Sequence, residues 1–247
     1  MSKRKIIALG KSFLWSICIL LIPILSGTLS AVLSLETTGT LLLQGTFMLL
    51  SLVIPLIFIV RKKWRWSEIG FAKIDADSCK KALYFLPTLV IFIPAAVRGF
   101  HIQSVPYVLG NLFLYLAVGL AEEIYFRGII PKCLNEAFSR KEMIFLSSTI
   151  FGIGHIASAF TANNGWEIFL AVLNAVIFGW LAIEMAVICK SIAPVILLHF
   201  MFDFETKIVV MTGAALLTAE CIRGVIMVIV ALWFVAVIGK MEKVKNA

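Results

Sequence analysis

Apolar runs long enough to cross a bilayer follow one another along almost the whole chain, separated by short stretches rich in lysine and arginine. A hydrocarbon core takes roughly 20 consecutive apolar residues as a helix. Eight segments fit that length: Ser12–Leu35, Thr38–Val60, Ala82–Phe100, Tyr107–Ile130, Met143–Phe160, Ile168–Ile188, Ile192–Val210 and Ile222–Gly239. They predict an all-α, polytopic membrane protein of about eight transmembrane helices. The opening Met-Ser-Lys-Arg-Lys before an apolar run resembles a signal peptide, but Ser12–Leu35 is too long for one and reads as a helix. Without repeats, low-complexity tracts or a long linker, residues 1–247 read as a single membrane-embedded domain.

Composition agrees. The chain is 61% hydrophobic and 15% charged, where a soluble domain carries about a quarter charged residues. The net charge of +8 invites a nucleic-acid reading, which the placement of the basic residues excludes. Lys3, Arg4, Lys5 and Lys11 precede the first segment, and Arg61, Lys62, Lys63, Arg65, Lys73, Lys80 and Lys81 lie between the second and third. Lys132, Arg140 and Lys141 follow the fourth, Lys190 follows the sixth, and Lys240, Lys243 and Lys245 close the chain. The opposite side holds Arg98, Lys207 and Arg223. The positive-inside rule then puts both termini in the cytoplasm, with the protein in the cell membrane and the basic loops against anionic lipid. The five cysteines, Cys18, Cys79, Cys133, Cys189 and Cys221, lack CxxC or zinc-like spacing and read as thiols in lipid or facing a reducing cytosol. Tryptophans beside basic residues in Trp64–Phe71 suit a short element anchored in the headgroup layer.

Three clusters break the apolar pattern: Glu122-Glu123-Ile-Tyr-Phe-Arg127, Phe151-Gly-Ile-Gly-His155 and His199-Phe-Met-Phe-Asp203. A charge in lipid costs kilocalories and is normally paired and functional. At the helical rise, Glu122 lies about 14 Å, His155 about 18 Å and His199 about 12 Å from the cytoplasmic ends of their helices. Three segments thus place ionisable groups at a similar level. Glu123 and Arg127 are i and i+4, the register of an ion pair that neutralises both in lipid. Glu122, turned about 100° away on the helix, is left for chemistry. His199 and Asp203 share a face, so Asp203 is placed to orient the imidazole or to share a ligand with it. Gly152 and Gly154 on the fifth segment read as close-packing positions.

Other polar residues take structural readings. Glu184, near the cytoplasmic end of the sixth segment, can snorkel to water or pair with Lys190. His101 falls in an external loop, and packing is the default for Asn174, Trp180, Tyr125 and Phe126.

The order EExxxR, FxxxH, HxxxD resembles the motif set of the CPBP family of intramembrane proteases, the Abi-type group that includes type II CAAX prenyl endopeptidases and bacteriocin-processing or immunity proteins. The resemblance covers a motif-bearing core at 107–204. It implies an endopeptidase that cleaves hydrophobic or lipidated peptide substrates within the membrane. Glu122, His155, His199 and Asp203 are then the catalytic residues, supported by Glu123, Arg127 and Phe151. Glu122 is the general base, His155 shares the water, and His199 and Asp203 stabilise the intermediate. Two mechanisms fit: a zinc ion held by some of Glu122, His155, His199 and Asp203, or metal-free activation of water by Glu122 with His155. The HExxH spacing of soluble zinc proteases is absent. Asp203, where the family also uses asparagine, would repel an oxyanion if ionised, which favours metal ligation or pairing with His199.

Other classes compete. A non-catalytic immunity or scaffold protein would carry the same motifs. A transporter should show repeats and broken helices in pairs, which the sequence lacks. Haem ligation by His155 and His199 leaves the Glu-Glu-Arg cluster unexplained.

Overall fold

The computed structural model describes residues 2–72, 83–100, 102–160, 164–209 and 213–245. Lys73, Lys80, Lys81, Cys79 and His101 lie outside them, as do the first residue of the expected third segment and the last of the seventh. The expected segments all become helical. The first is α1 (Lys3–Val32), and the second is split into α2 (Thr37–Ser51) and α3 (Val53–Lys62). A 3-10 helix (Leu83–Phe92) then runs into α4 (Ile93–Ala96). The fourth segment is α5 (Val105–Glu123), a π-helix (Ile124–Ile129) and α6 (Ile130–Leu134) in one run. The fifth is α7 (Arg140–Gly154), continued by a 3-10 helix (His155–Phe160). The last three are α8 (Gly165–Cys189), α9 (Ala193–Ile208) and α10 (Gly213–Lys245).

Among the described residues, five helical runs are long and apolar enough to cross a membrane: Lys3–Val32, Thr37–Lys62, Val105–Leu134, Gly165–Cys189 and Gly213–Val237. The chain is an all-α, multi-pass membrane protein. The third, fifth and seventh expected segments are shorter or irregular. Pro87 within the 3-10 stretch removes a backbone donor and opposes a regular α-helix, and α9 is 16 residues long.

Hydroxyls inside α1 are satisfied by the preceding turn, which suits an apolar solvent. On α1, Ser12, Ser26 and Ser30 donate to the carbonyls of Ala8, Ile22 and Ser26 at 2.9, 2.9 and 2.8 Å. On α5, Asn111 donates to the Tyr107 carbonyl at 2.9 Å.

Small residues set how closely the site-bearing helices approach. A Cβ on Gly119 would lie 3.1 Å from the Ile196 carbonyl oxygen and 3.2 Å from the Phe200 nitrogen, so α5 meets the backbone of α9 there. A Cβ on Gly152 would fall 2.2 Å from Val176 Cγ2 and 2.9 Å from the Val176 nitrogen, between α7 and α8. Gly154 packs on Leu20 in the same way, at 3.0 Å. Close packing is thus what both glycines serve.

The Trp64–Phe71 element forms a one-turn 3-10 helix (Trp66–Ile69). Trp66 is exposed while Ile69 is buried against Gly128 of the π-helix. Glu68 bonds Lys132 at 2.7 Å, and the ammonium holds its carboxyl below the usual range. Gly70, in the left-handed region at φ 88°, turns its carbonyl to accept from Ile192 N at 2.8 Å. The element thereby ties the π-helix to the start of α9. At the N-terminus of α7, Glu142 accepts from Ser139 N at 2.8 Å and pairs with Lys5 of α1 at 2.8 Å.

Gly152→Ala is expected to destabilise the fold by about 1–3 kcal/mol through overpacking, read as a lower thermal midpoint in detergent. Lys5 and the Ser139 N–H hold the Glu142 carboxyl down to about 2, below the ordinary 4.5. A depressed folded value stabilises above the unfolded value and fails as pH falls. The thermal midpoint of the wild type should therefore exceed that of Glu142→Gln at neutral pH. The gap should close as pH falls from about 4.5 towards about 2.

Candidate active site

The last turn of α5 delivers Glu122 and Glu123, and the chain then enters the π-helix that holds Arg127. A π-turn inserts an extra residue into the helical register and often marks a functional site. Arg127 Nη1 lies 2.9 Å from Glu123 Oε1, with the two side chains 1% and 0% exposed. The guanidinium carbon stands 4.1 Å from the ring centre of Phe151, a cation–π contact worth more when desolvated. Phe151 from α7 thus supports the pair that α5 and the π-helix make.

Glu123 has a second partner. Its Oε1 accepts from His199 Nδ1 of α9 at 2.6 Å. A carboxylate is an acceptor, so Nδ1 carries the proton. Glu123, 76 residues away, thus holds the ring at Nδ1. Asp203 faces the other nitrogen, with Oδ2 3.5 Å from Nε2. Glu122 approaches the same edge, with Oε2 3.9 Å from Nε2. Both distances exceed a good hydrogen bond and suit groups that share a water.

His155 caps the end of α7. Its Nδ1 lies 3.1 Å from the Phe151 carbonyl, which can only accept, so Nδ1 donates and Nε2 is left for the cavity. The Phe151 ring stands 4.8 Å from the His155 ring and 5.8 Å from that of His199. A cavity of about 170 Å³ is lined by Phe151, His155, Phe178, His199, Phe202 and Asp203, and further by Ala171, Asn174, Ala175, Thr206 and Glu220. A larger groove of about 470 Å³, between Val90–Arg98 and α10, touches none of these residues.

Among the described residues, no three His, Cys, Asp or Glu side chains converge as metal ligands. Glu123 holds His199 by Nδ1, which leaves Nε2 free towards Glu122 and Asp203.

Other polar residues depart from their expected surroundings. Arg223, assigned to the outer side, lies inside α10 and is fully buried. It bonds Glu205 of α9, Glu220 Oε1 at 2.9 Å and the Ile91 carbonyl at 3.2 Å. Asn174 of α8 donates to the main-chain oxygen and Oε2 of Glu220, each at 3.0 Å. The missed signal was Glu220 and Arg223 three residues apart within an apolar run. Glu184 is buried, accepting from Trp180 Nε1 at 2.6 Å, so it does not snorkel to water. Tyr125 and Phe126 are packed inside, and the Tyr125 hydroxyl donates to the Ser51 carbonyl at 2.9 Å.

Residues 104–204 match the family described as Type II CAAX prenyl endopeptidase Rce1-like. This segment is similar to an Rce1-like domain. The match takes in α5 through most of α9, and so all three motifs. At the level of the family, an Rce1-like domain indicates a CAAX intramembrane protease. No curated protein matches the chain.

Replacing Glu123 by leucine leaves Arg127 buried without its counter-charge. Such a loss costs about 3–5 kcal/mol, and Glu123→Leu should show it as a large drop in thermal midpoint or failure to accumulate in the membrane.

Proposed function

We propose that this protein is an intramembrane endopeptidase that hydrolyses a peptide bond in a hydrophobic or lipidated substrate, using a water activated by Glu122. The observation that carries this reading is the edge of His199. Glu123 holds the ring by Nδ1, so Nε2 is presented to Glu122 and Asp203 at 3.9 and 3.5 Å. A water hydrogen-bonded in that gap has a carboxylate base beside it and an imidazole to fix its direction.

In the first step Glu122 takes a proton from this water, and the oxygen forms a bond to the scissile carbonyl carbon. The carbonyl π pair moves onto oxygen. His155, with Nε2 towards the cavity, and His199 flank the tetrahedral intermediate. The C–N bond then breaks, and the proton on Glu122 passes to the leaving amine. Asp203 shares the water site with His199 Nε2 and keeps it hydrated; it does not hold the oxyanion, which an ionised carboxylate repels. Arg127 and Phe151 act on Glu123 and the rings rather than on the substrate.

Both termini are assigned to the cytoplasm of the cell membrane, from the lysine and arginine bias of the loops. A non-catalytic immunity or scaffold role on the same frame is the competing reading, and turnover separates the two.

Glu122→Gln should lower cleavage of a hydrophobic reporter peptide in proteoliposomes by about 10²–10⁴-fold, with an unchanged thermal midpoint. Equal cleavage by both proteins would remove Glu122 from the reaction. Exhaustive chelation should leave wild-type activity in place. Activity lost on chelation and restored by zinc would overturn the direct route.

A further inference from the structure

The cavity beside His199 is supplied with acceptors and short of donors. Several of its polar hydrogens are already spent. The Thr206 hydroxyl donates to the Asp203 carbonyl at 2.6 Å. Asn174 Nδ2 donates to two oxygens of Glu220. His155 Nδ1 is turned to the Phe151 carbonyl and His199 Nδ1 to Glu123. Among the described lining residues, the carboxylates of Asp203 and Glu220 and the hydroxyl oxygen of Thr206 keep accepting capacity at the cavity. Each carboxylate oxygen has two lone pairs, so Glu220 keeps accepting capacity beyond Arg223 and Asn174.

Charge points the same way. Three carboxylates, Asp203, Glu205 and Glu220, stand at or behind this wall with the guanidinium of Arg223, while Arg127, behind Phe151 and Phe178, is paired with Glu123. The Glu220 side chain is 21% exposed, so it is open to a ligand, while Arg223 behind it is sealed. The other walls are Phe151, Phe178 and Phe202, which suit methylenes and the approach of a cation to a ring. A group that fills this space must bring N–H donors and positive charge on an apolar stem.

Resting on the endopeptidase reading, we propose that this cavity is a subsite for an amine-bearing, lysine-like side chain of the substrate next to the scissile bond, with Glu220 as its specificity-determining residue. Asp203 and His199 line both the cavity and the water site, so the side chain that enters is within a residue or two of the bond cut. Glu220 and Thr206 lie beyond residue 204, where the family match ends. The preference therefore belongs to this chain's own α9 end and α10.

The test uses the full-length protein in proteoliposomes and a hydrophobic reporter peptide carrying lysine, or the uncharged norleucine, at each position flanking the cut. At one position the wild type should favour lysine by about tenfold or more in kcat/KM, the scale of a hydrogen bond to a charged group. Glu220→Gln, whose one carbonyl oxygen can still accept from Arg223 while Asn174 keeps its bond to the main-chain oxygen of residue 220, should reduce that ratio towards one, mostly through KM. A probe of the wild type avoids any folding defect: n-butylammonium should inhibit competitively, and n-butanol at equal concentration should not. A norleucine preference at every position, an unchanged ratio in Glu220→Gln, or equal effects of the two probes would overturn the subsite. Competition between zinc and butylammonium would also overturn it, giving the cavity to a metal. If the wild type cleaves no peptide, the protease reading fails on its own. Tighter binding of the lysine peptide than the norleucine peptide, lost in Glu220→Gln, would then still support the subsite, and equal binding would reject it.

Discussion

Glu123 is bound on one side by a buried arginine and on the other by a histidine from a distant helix, and the arrangement of the site follows from that double contact. In a low-dielectric surround a lone carboxylate or guanidinium is costly, and a well-placed pair offsets the loss of water. Arg127 meets that need within its own helical run. Glu123 uses the same oxygen to fix His199 Nδ1. The ring then has one orientation, and Nε2 has one direction in which to act. The phenylalanines from α7 and α8 close around the guanidinium, so charge neutralisation and packing are a single feature of the core.

Helix approach makes this geometry reachable. Where Gly119 meets the backbone of α9, no side chain separates the two helices, about one turn from Glu122 and Glu123. Gly152 does the same for α7 and α8. Association in lipid has no hydrophobic drive, so packing and polar contacts must hold the helices. The Arg223 network supplies a second polar contact, linking α10 to α9, α8 and the 3-10 helix before α4. It also contributes a carboxylate to the cavity wall.

Much of the candidate site was legible along the chain. Glu122, Glu123 and Arg127 share a helical run, Phe151 and His155 are one turn apart, and so are His199 and Asp203. Spacing of that kind depends only on local geometry. The second partner of His199 was not legible: Asp203 lies one turn along the helix, while Glu123 is 76 residues away. Arg223 was misplaced for a related reason. A charge pattern that reports which side of the membrane a loop occupies says nothing about a charged residue neutralised inside the bundle. Glu184 was read as reaching for water or for Lys190 because its burial depends on helices that sequence spacing does not locate.

Hydropathy and the cost of unsatisfied backbone in lipid determine from sequence alone that this is an all-α membrane protein, since only regular hydrogen-bonded segments survive there. Motif order and helical register also named the residues that gather at the site. Tertiary structure decided which nitrogen of His199 is held, where Glu122 and Asp203 stand relative to the other, and that α10 closes the cavity with Glu220. Those outcomes depend on how helices cross and how closely small residues let them approach, which is set by packing between segments rather than within any one of them.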